Sequence, residues 1–194
     1  MITKTKRTKR RRNPVLESEV NTVLDKLDPK YISYLAEGDY SEVYKFEITE
    51  NKEIDDVILK KGTYVIKFFK QDEDNYLNFK DILYLKKLSN LKIIPKIYVI
   101  TENYIIMDFI NGKTLEYVLT NTEHPGKKSN LLLKLERLIS KLHDKKIAHG
   151  DLHLRNVLID LDENLYLIDP VTNSKTFEND NRRLMRARSE FIGE

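Results

Sequence analysis

The densest set of reactive side chains lies in Ala148-His149-Gly150-Asp151-Leu152-His153-Leu154-Arg155-Asn156-Val157-Leu158-Ile159-Asp160, followed by Leu167-Ile168-Asp169-Pro170. Four residues separate Asp151 from Asn156, and Asp169 lies thirteen after Asn156 at the end of an apolar run. Chemistry on a metal-bound phosphate needs such a set. One carboxylate takes the proton of an attacking hydroxyl, while an amide and a second carboxylate hold Mg²⁺ against phosphate oxygens. These are hard oxygen ligands, nothing in the chain has zinc-site spacing, and there is no cysteine. The plainer alternative is that Asp and Asn merely shape the turns between short strands.

The elements around this set read as α+β. Val15–Leu27 has helical spacing and closes at Asp28-Pro29. Three β-like runs follow, Tyr31–Ala36, Glu42–Thr49 and Tyr64–Phe69, with a charged loop expected at Asn51–Lys61. Asn75–Leu88 turns helical through Phe79, Ile82, Leu85 and Leu88, and Pro95 precedes two further β-like runs, Lys96–Thr101 and Tyr104–Phe109. After Asn111-Gly112 the pattern changes. Leu115–Leu119 is a short amphipathic turn, His124–Ser129 a loop, and Leu131–Lys145 a helix. Val157–Ile159 and Tyr166–Ile168 form two small strands joined at Asp162-Glu163-Asn164, and Phe177–Phe191 is a last helix.

The order H-x-D-x-x-x-x-N, then an apolar strand ending in Asp, resembles the catalytic loop and metal-binding Asp of the protein-kinase-like superfamily. The resemblance implies that Asp151 is the catalytic base, Asn156 and Asp169 the metal ligands, and His149 the histidine that supports the loop. Upstream, Ala36-Glu37-Gly38-Asp39-Tyr40-Ser41-Glu42-Val43 is similar to the glycine-rich loop, with Ala36 and Ser41 standing at two of its glycine positions. Tyr64-Val65-Ile66-Lys67 resembles the V-A-I-K strand, which makes Lys67 the phosphate-contacting lysine, alternating inward with Val65 and Phe69. Asp81 falls at the position of its acidic partner, with Glu73 and Asp74 as substitutes. Met107, then Asp108, Phe109 and Ile110, resemble the residue behind the adenine and the hinge that follows it. The implied cofactors are ATP and Mg²⁺, with Gly38, Ser41, Val43, Val65, Lys67 and Met107–Ile110 about the nucleotide.

The implied architecture is a two-lobed α+β kinase-like fold. Its parts are a basic tail at 1–14, an N-lobe at 15–110 with a five-stranded antiparallel sheet and one main helix, and a reduced helical C-lobe at 111–194. Four departures set the chain apart from conventional protein kinases. Gly150 replaces the H-R-D arginine, Asp169-Pro170-Val171 replaces D-F-G, His153 replaces a phosphate-neutralising lysine, and no A-P-E follows. The compact relatives fit better: the RIO and Bud32-like kinases by H-G-D-L, and the lipopolysaccharide-core sugar kinases by H-G-D-L-H-x-x-N. Asn181–Arg188 is similar to the basic final helix of the latter, and its four arginines read as a solvated face or as a cradle for an anionic acceptor.

Charge and composition bound the partners. Residues 1–12 hold seven basic and no acidic residues, leaving 27 basic against 31 acidic in the remaining 182, so the body is mildly acidic. The basic run 4–12 suits RNA, a ribosome, an anionic membrane surface or an acidic protein, or serves only solvation. With 40% hydrophobic and 34% charged residues, wholesale disorder is excluded. No apolar run reaches a membrane span or a signal peptide, so a cytoplasmic protein is expected, at a membrane face or ribosome-associated through the tail. Three functions compete. The first is phosphoryl transfer to a protein Ser/Thr or a glycolipid sugar, the second a pseudokinase module, and the third an RNA- or ribosome-binding protein.

Overall fold

The computed structural model describes residues 17–38, 41–70, 79–171 and 177–193. The basic segment 1–14, Glu73 and Asp74 lie outside them, as does the side chain of Asp81. The first half of the described chain runs α1 (Glu17–Leu27), β1 (Tyr31–Glu37), β2 (Ser41–Ile48), β3 (Lys52–Ile54), β4 (Val57–Leu59), β5 (Gly62–Phe69) and α2 (Phe79–Ser89). Then come β6 (Ile97–Ile100), β7 (Tyr104–Asp108), β8 (Gly112–Thr114), α3 (Leu115–Thr120), α4 (Pro125–Asp144), β9 (Val157–Asp160), β10 (Leu165–Leu167) and α5 (Phe177–Ile192). Packing divides the chain into two interleaved units. One takes the chain to Asn78 together with Tyr98–Ile106, and the other takes Phe79–Ile97 and the chain from Met107 onward. The sequence pattern predicts a single boundary after residue 110, whereas by packing the chain crosses between units three times.

The first unit is built on the expected five-stranded sheet, in the order β1-β2-β5-β7-β6. Strand alternation gives its two faces different work. Phe46 and Ile48 of β2 and Tyr64, Ile66 and Phe68 of β5 are buried together with Val23 and Leu27 of α1. That corrects the expectation that Lys67, Val65 and Phe69 point inward. They lie one residue out of phase, on the half-buried opposite face. The larger aromatic set on the α1 side claims the core. On the Lys67 face, the β2–β5 register sets Val43 directly opposite Lys67 and Lys45 opposite Val65.

The expected loop at 51–61 is instead a hairpin of β3 and β4. Asp55 and Asp56 both have positive φ, 46° and 60°, the conformation of a two-residue turn that matches strand twist. Ile54 and Leu59 anchor it in the core. Charged neighbours hid two anchors too short to show a period.

The second unit gathers Leu88, Ile93 and Ile94, then Leu115 and Leu119 of α3, the Leu131–Leu142 stripe of α4, and Leu152, Val157, Ile159, Leu167 and Ala187. The expected loop at 124–129 is the first turn of α4. Pro125 occupies its first position, where a missing N–H does no harm, and His124 carbonyl accepts from Lys127 and Lys128 N–H. A small sheet, β10-β9-β8, carries the residues that precede Asp169. Its β8 strand was not foreseen. At Gly112 a Cβ would lie 2.1 Å from the Ile159 carbonyl oxygen, so only glycine lets β8 pair with β9 there.

Gly112→Ala should therefore destabilise the protein by about 1–3 kcal/mol, an overpacking cost taken by rigid backbone. Gly126→Ala, with open space around its Cβ near the start of α4, should be neutral or stabilise by up to about 1 kcal/mol. Thermal melts of the two variants check both signs.

Candidate active site

The segment 147–157 gets its shape from backbone contacts. His149 is fully buried, and its Nε2–H donates to the Ile168 carbonyl oxygen at 3.0 Å. Val171 N–H returns a bond to the His149 carbonyl at 2.9 Å, and Ile168 N–H donates to the Asn156 carbonyl at 2.9 Å. The loop carrying Asp151 and the strand end carrying Asp169 are thereby stitched side by side. Gly150 takes φ +82°, and a Cβ there would meet the Val171 carbonyl oxygen at 2.5 Å. Asp169 is exposed and itself left-handed, φ 54°, a sparsely populated conformation that Asp tolerates better than most residues.

Within the loop, Asn156 is buried and its Nδ2 donates to the Asp151 carbonyl at 3.0 Å and to Asp151 Oδ2 at 3.4 Å. Its amide oxygen is thus turned away from Asp151. His153 Nε2 lies 3.6 Å from Asp151 Oδ2, which leaves Oδ1 without a hydrogen-bond partner among the described residues. Asp151, half-buried, therefore keeps one carboxylate oxygen open.

Sequence reasoning missed the residue that holds this loop. Asp180, in the first turn of α5, is 1% exposed. Its Oδ2 accepts from His149 N–H at 2.8 Å and its Oδ1 from Gly150 N–H at 3.2 Å, while His143 Nε2 lies 3.0 Å from Oδ2. In the sequence it is one more acid at a helix start, where acids are ordinary; only its burial distinguishes it. Tyr84 of α2 adds a second tether by donating to the Ala148 carbonyl. Burial, and then the nearby Asp180 charge, push its phenol up to about 12, so it stays a donor.

The nucleotide-side candidates belong largely to the first unit. Ser41 is buried, and its carbonyl accepts from Gly38 N–H at 2.8 Å. Gly38 does not have positive φ, and a Cβ there would meet nothing nearer than Ser41 Oγ at 3.8 Å. Lys70, one residue beyond β5, is buried; it pairs with Glu37 and donates to the Gly38 carbonyl at 3.2 Å, tying down the end of β1. Met107, Asp108, Phe109 and Ile110 are all half-buried, and Asp108 N–H is taken by the Lys96 carbonyl at 2.9 Å.

This loop, its following hairpin and its buried anchor accompany a sequence likeness over most of the chain. A family model for protein tyrosine and serine/threonine kinases matches residues 30–191. The chain belongs to the protein kinase family. Dual specificity protein kinase zakA of Dictyostelium discoideum is 31% identical over 167 residues, 79% of this chain and 20% of that protein. The EKC/KEOPS complex subunit bud32 of the same organism is 30% identical over 72 residues, 34% of this chain and 29% of the relative. A probable bifunctional tRNA threonylcarbamoyladenosine biosynthesis protein of Methanosarcina mazei is 39% identical over 75 residues, 39% of this chain and 12% of its own length. The chain thus spans less than a third of each of these three relatives.

Two outcomes follow for this kinase domain. Asp180→Ala leaves two buried backbone N–H groups unpaired, at about 1–3 kcal/mol each, so melting should fall by several degrees. Burial lowers the His149 pKa, against the pull of the Asp180 carboxylate and the Ile168 carbonyl. The unfolded chain then binds the proton more readily, so stability falls as pH drops through the ordinary histidine range of about 6.5. Melting curves between about pH 8 and 5 should show that fall, shallower in His149→Asn.

Proposed function

We propose that this kinase domain transfers the γ-phosphate of ATP, with Mg²⁺, to a serine or threonine hydroxyl of a protein acceptor, in the manner of the RIO and Bud32-like branch. The observation that carries the reading is the arrangement around Asp151, whose open Oδ1 sits on a loop fixed by Asn156, His149 and Asp180. The likeness to bud32 supports the branch, and the protein kinase family supports a protein acceptor.

The donor set fits Mg²⁺. Asn156 offers an amide oxygen and Asp169 a carboxylate, both hard ligands on adjoining, hydrogen-bonded backbone. Among the described residues no cluster of three acidic or histidine side chains makes a closed metal cage. Mg²⁺ characteristically uses one or two protein oxygens and completes its shell with water and phosphate oxygens. Bound there, it would neutralise charge on the phosphates of the nucleotide.

The protein's own residues supply positioning and charge. Asp151 Oδ1 accepts the proton of the acceptor's hydroxyl as the hydroxyl oxygen bonds to the γ-phosphorus. The bond from γ-phosphorus to the β,γ-bridging oxygen breaks, and ADP leaves with the electron pair. Asn156 holds Asp151 through its Nδ2, and its amide oxygen, not engaged by Asp151, would be a ligand for Mg²⁺. Lys67 is assigned to the α- and β-phosphates and Val43 and Val65 to the adenine, since the strand register sets all three on one face. Backbone groups of Asp108–Ile110 are assigned to the adenine edge, except Asp108 N–H, which the Lys96 carbonyl takes.

Incubation with γ-labelled ATP, Mg²⁺ and a Ser/Thr-containing protein should give label that chelation of Mg²⁺ abolishes. Asp151→Asn should lower transfer by about 10²–10⁴-fold with nucleotide affinity retained. Label entering a glycolipid but no protein would overturn the acceptor class. Unchanged transfer in Asp151→Asn would overturn the mechanism.

A further inference from the structure

Asp151 does not line its cleft alone. A concavity of about 380 Å³ is walled on one side by Gly150, Asp151 and Leu152 and on the other by Asn179, Asp180, Arg182, Arg183 and Arg186 of α5. An adjoining hollow of about 350 Å³ shares Arg183 and Arg186 and extends past His153 and Arg155 to Glu190. Asp151 therefore shares a small cleft with three arginines.

The arginines are held in place relative to Asp151. The Asp180 carboxylate binds the backbone of His149 and Gly150, so the start of α5 and the catalytic loop form one piece. Asp180 and Ala187 are buried, and Leu184 and Phe191 pack against the same core, giving the stripe by which α5 lies on the unit. At ~100° per residue, Arg182, Arg183 and Arg186 share one flank of that stripe within an arc of roughly 100°. The fourth arginine, Arg188, falls on the opposite flank and bonds Glu136 of α4 at 2.8 Å.

What sets the three apart from a solvated helix face is the cleft they share with Asp151. Arg182, Arg183 and Arg186 are exposed, and among the described residues Arg183 and Arg186 make no ion pair; Arg182 bonds only the Asn179 side chain. Like charges packed on one flank repel, and a bound anion relieves this while accepting planar, paired N–H bonds. The chemistry favours a peptide over a nucleic acid. Asp151 lines the cleft and Glu190 its extension, both repelling a continuous phosphate backbone; among the described residues no aromatic side chain lines the 380 Å³ cleft to stack a base, and Phe191 lines only the adjoining hollow.

We propose that Arg182, Arg183 and Arg186 form the acceptor-docking face of this kinase domain, selecting a protein segment with an anionic group, carboxylate or phosphate, within a few residues of its hydroxyl. The proposal rests on the reading of Asp151 as the group that receives that hydroxyl. The anion docks on α5 and leaves the hydroxyl to Asp151 across the cleft.

Fluorescence anisotropy of labelled serine peptides tests it. One peptide is flanked by aspartates, one by phosphoserines and one by alanines, beside a single-stranded RNA of matching charge. The full chain should bind the anionic peptides at least about tenfold tighter than the neutral one, and Arg183→Gln or Arg186→Gln should each weaken them about tenfold. Comparison of the aspartate and phosphoserine peptides names the preferred anion. Lys141→Gln, which removes one exposed charge from α4, should leave peptide affinity unchanged, and melts should show all variants folded. Equal affinity for neutral and anionic peptides, or undiminished binding by both arginine variants, would sink the proposal. So would tighter binding of RNA that the same variants abolish. Transfer from γ-labelled ATP is read separately. Charge-selective binding without transfer would leave the docking face standing and remove the phosphotransferase reading, whereas transfer without charge selectivity would do the reverse.

Discussion

One buried carboxylate organises the second unit. Asp180 gives its two oxygens to the backbone N–H groups of His149 and Gly150, neighbours on a turn that no helix or strand could satisfy. A buried backbone donor without a partner is costly, so the loop takes the path on which both donors reach that side chain. The positions of Asp151 and Asn156 follow from this path. So does the position of α5, which cannot shift without breaking the bonds that shape the loop.

The departures from conventional protein kinases have a physical reading in the same place. Gly150 stands where others have arginine, and its left-handed backbone and the Val171 carbonyl 2.5 Å from any added Cβ exclude a side chain. The segment after Asp169 folds straight back, Val171 N–H reaching the His149 carbonyl through Pro170. Backbone hydrogen bonds join the two segments here, and buried His149 bridges to the Ile168 carbonyl. The site is pinned by hydrogen bonds of its own chain.

The first unit shows how alternation divides labour on a sheet. Tyr64, Ile66 and Phe68 fill the side covered by α1, which leaves Val65, Lys67 and Phe69 on a half-buried face with Val43 directly opposite Lys67. On that face Lys67 is half-buried rather than enclosed. On the core side it would be desolvated. Lys70 is the contrasting case, buried but compensated by Glu37 and the Gly38 carbonyl.

The amino-acid sequence by itself determined the five strands of the main sheet and the spacing of Asp151, Asn156 and Asp169 that suggests metal-phosphate chemistry, because those depend on local periodicity and fixed intervals. It also determined the β9–β10 turn, where Asp160 accepts from Asp162 and Asn164 N–H within a few residues. The β3–β4 hairpin, the β8 strand and the start of α4 were decided by tertiary partners: a core that captures Ile54 and Leu59, a strand that Gly112 alone can approach, and a helix for which Pro125 is a beginning. Which face of β5 is core was likewise a matter of what covers it. Asp180 was the least legible residue, since its role comes from burial 30 residues away from the groups it binds. Spacing along a chain records which chemistry is present; only packing decides which buried charge holds it in place, because desolvation and pairing are properties of the folded surroundings.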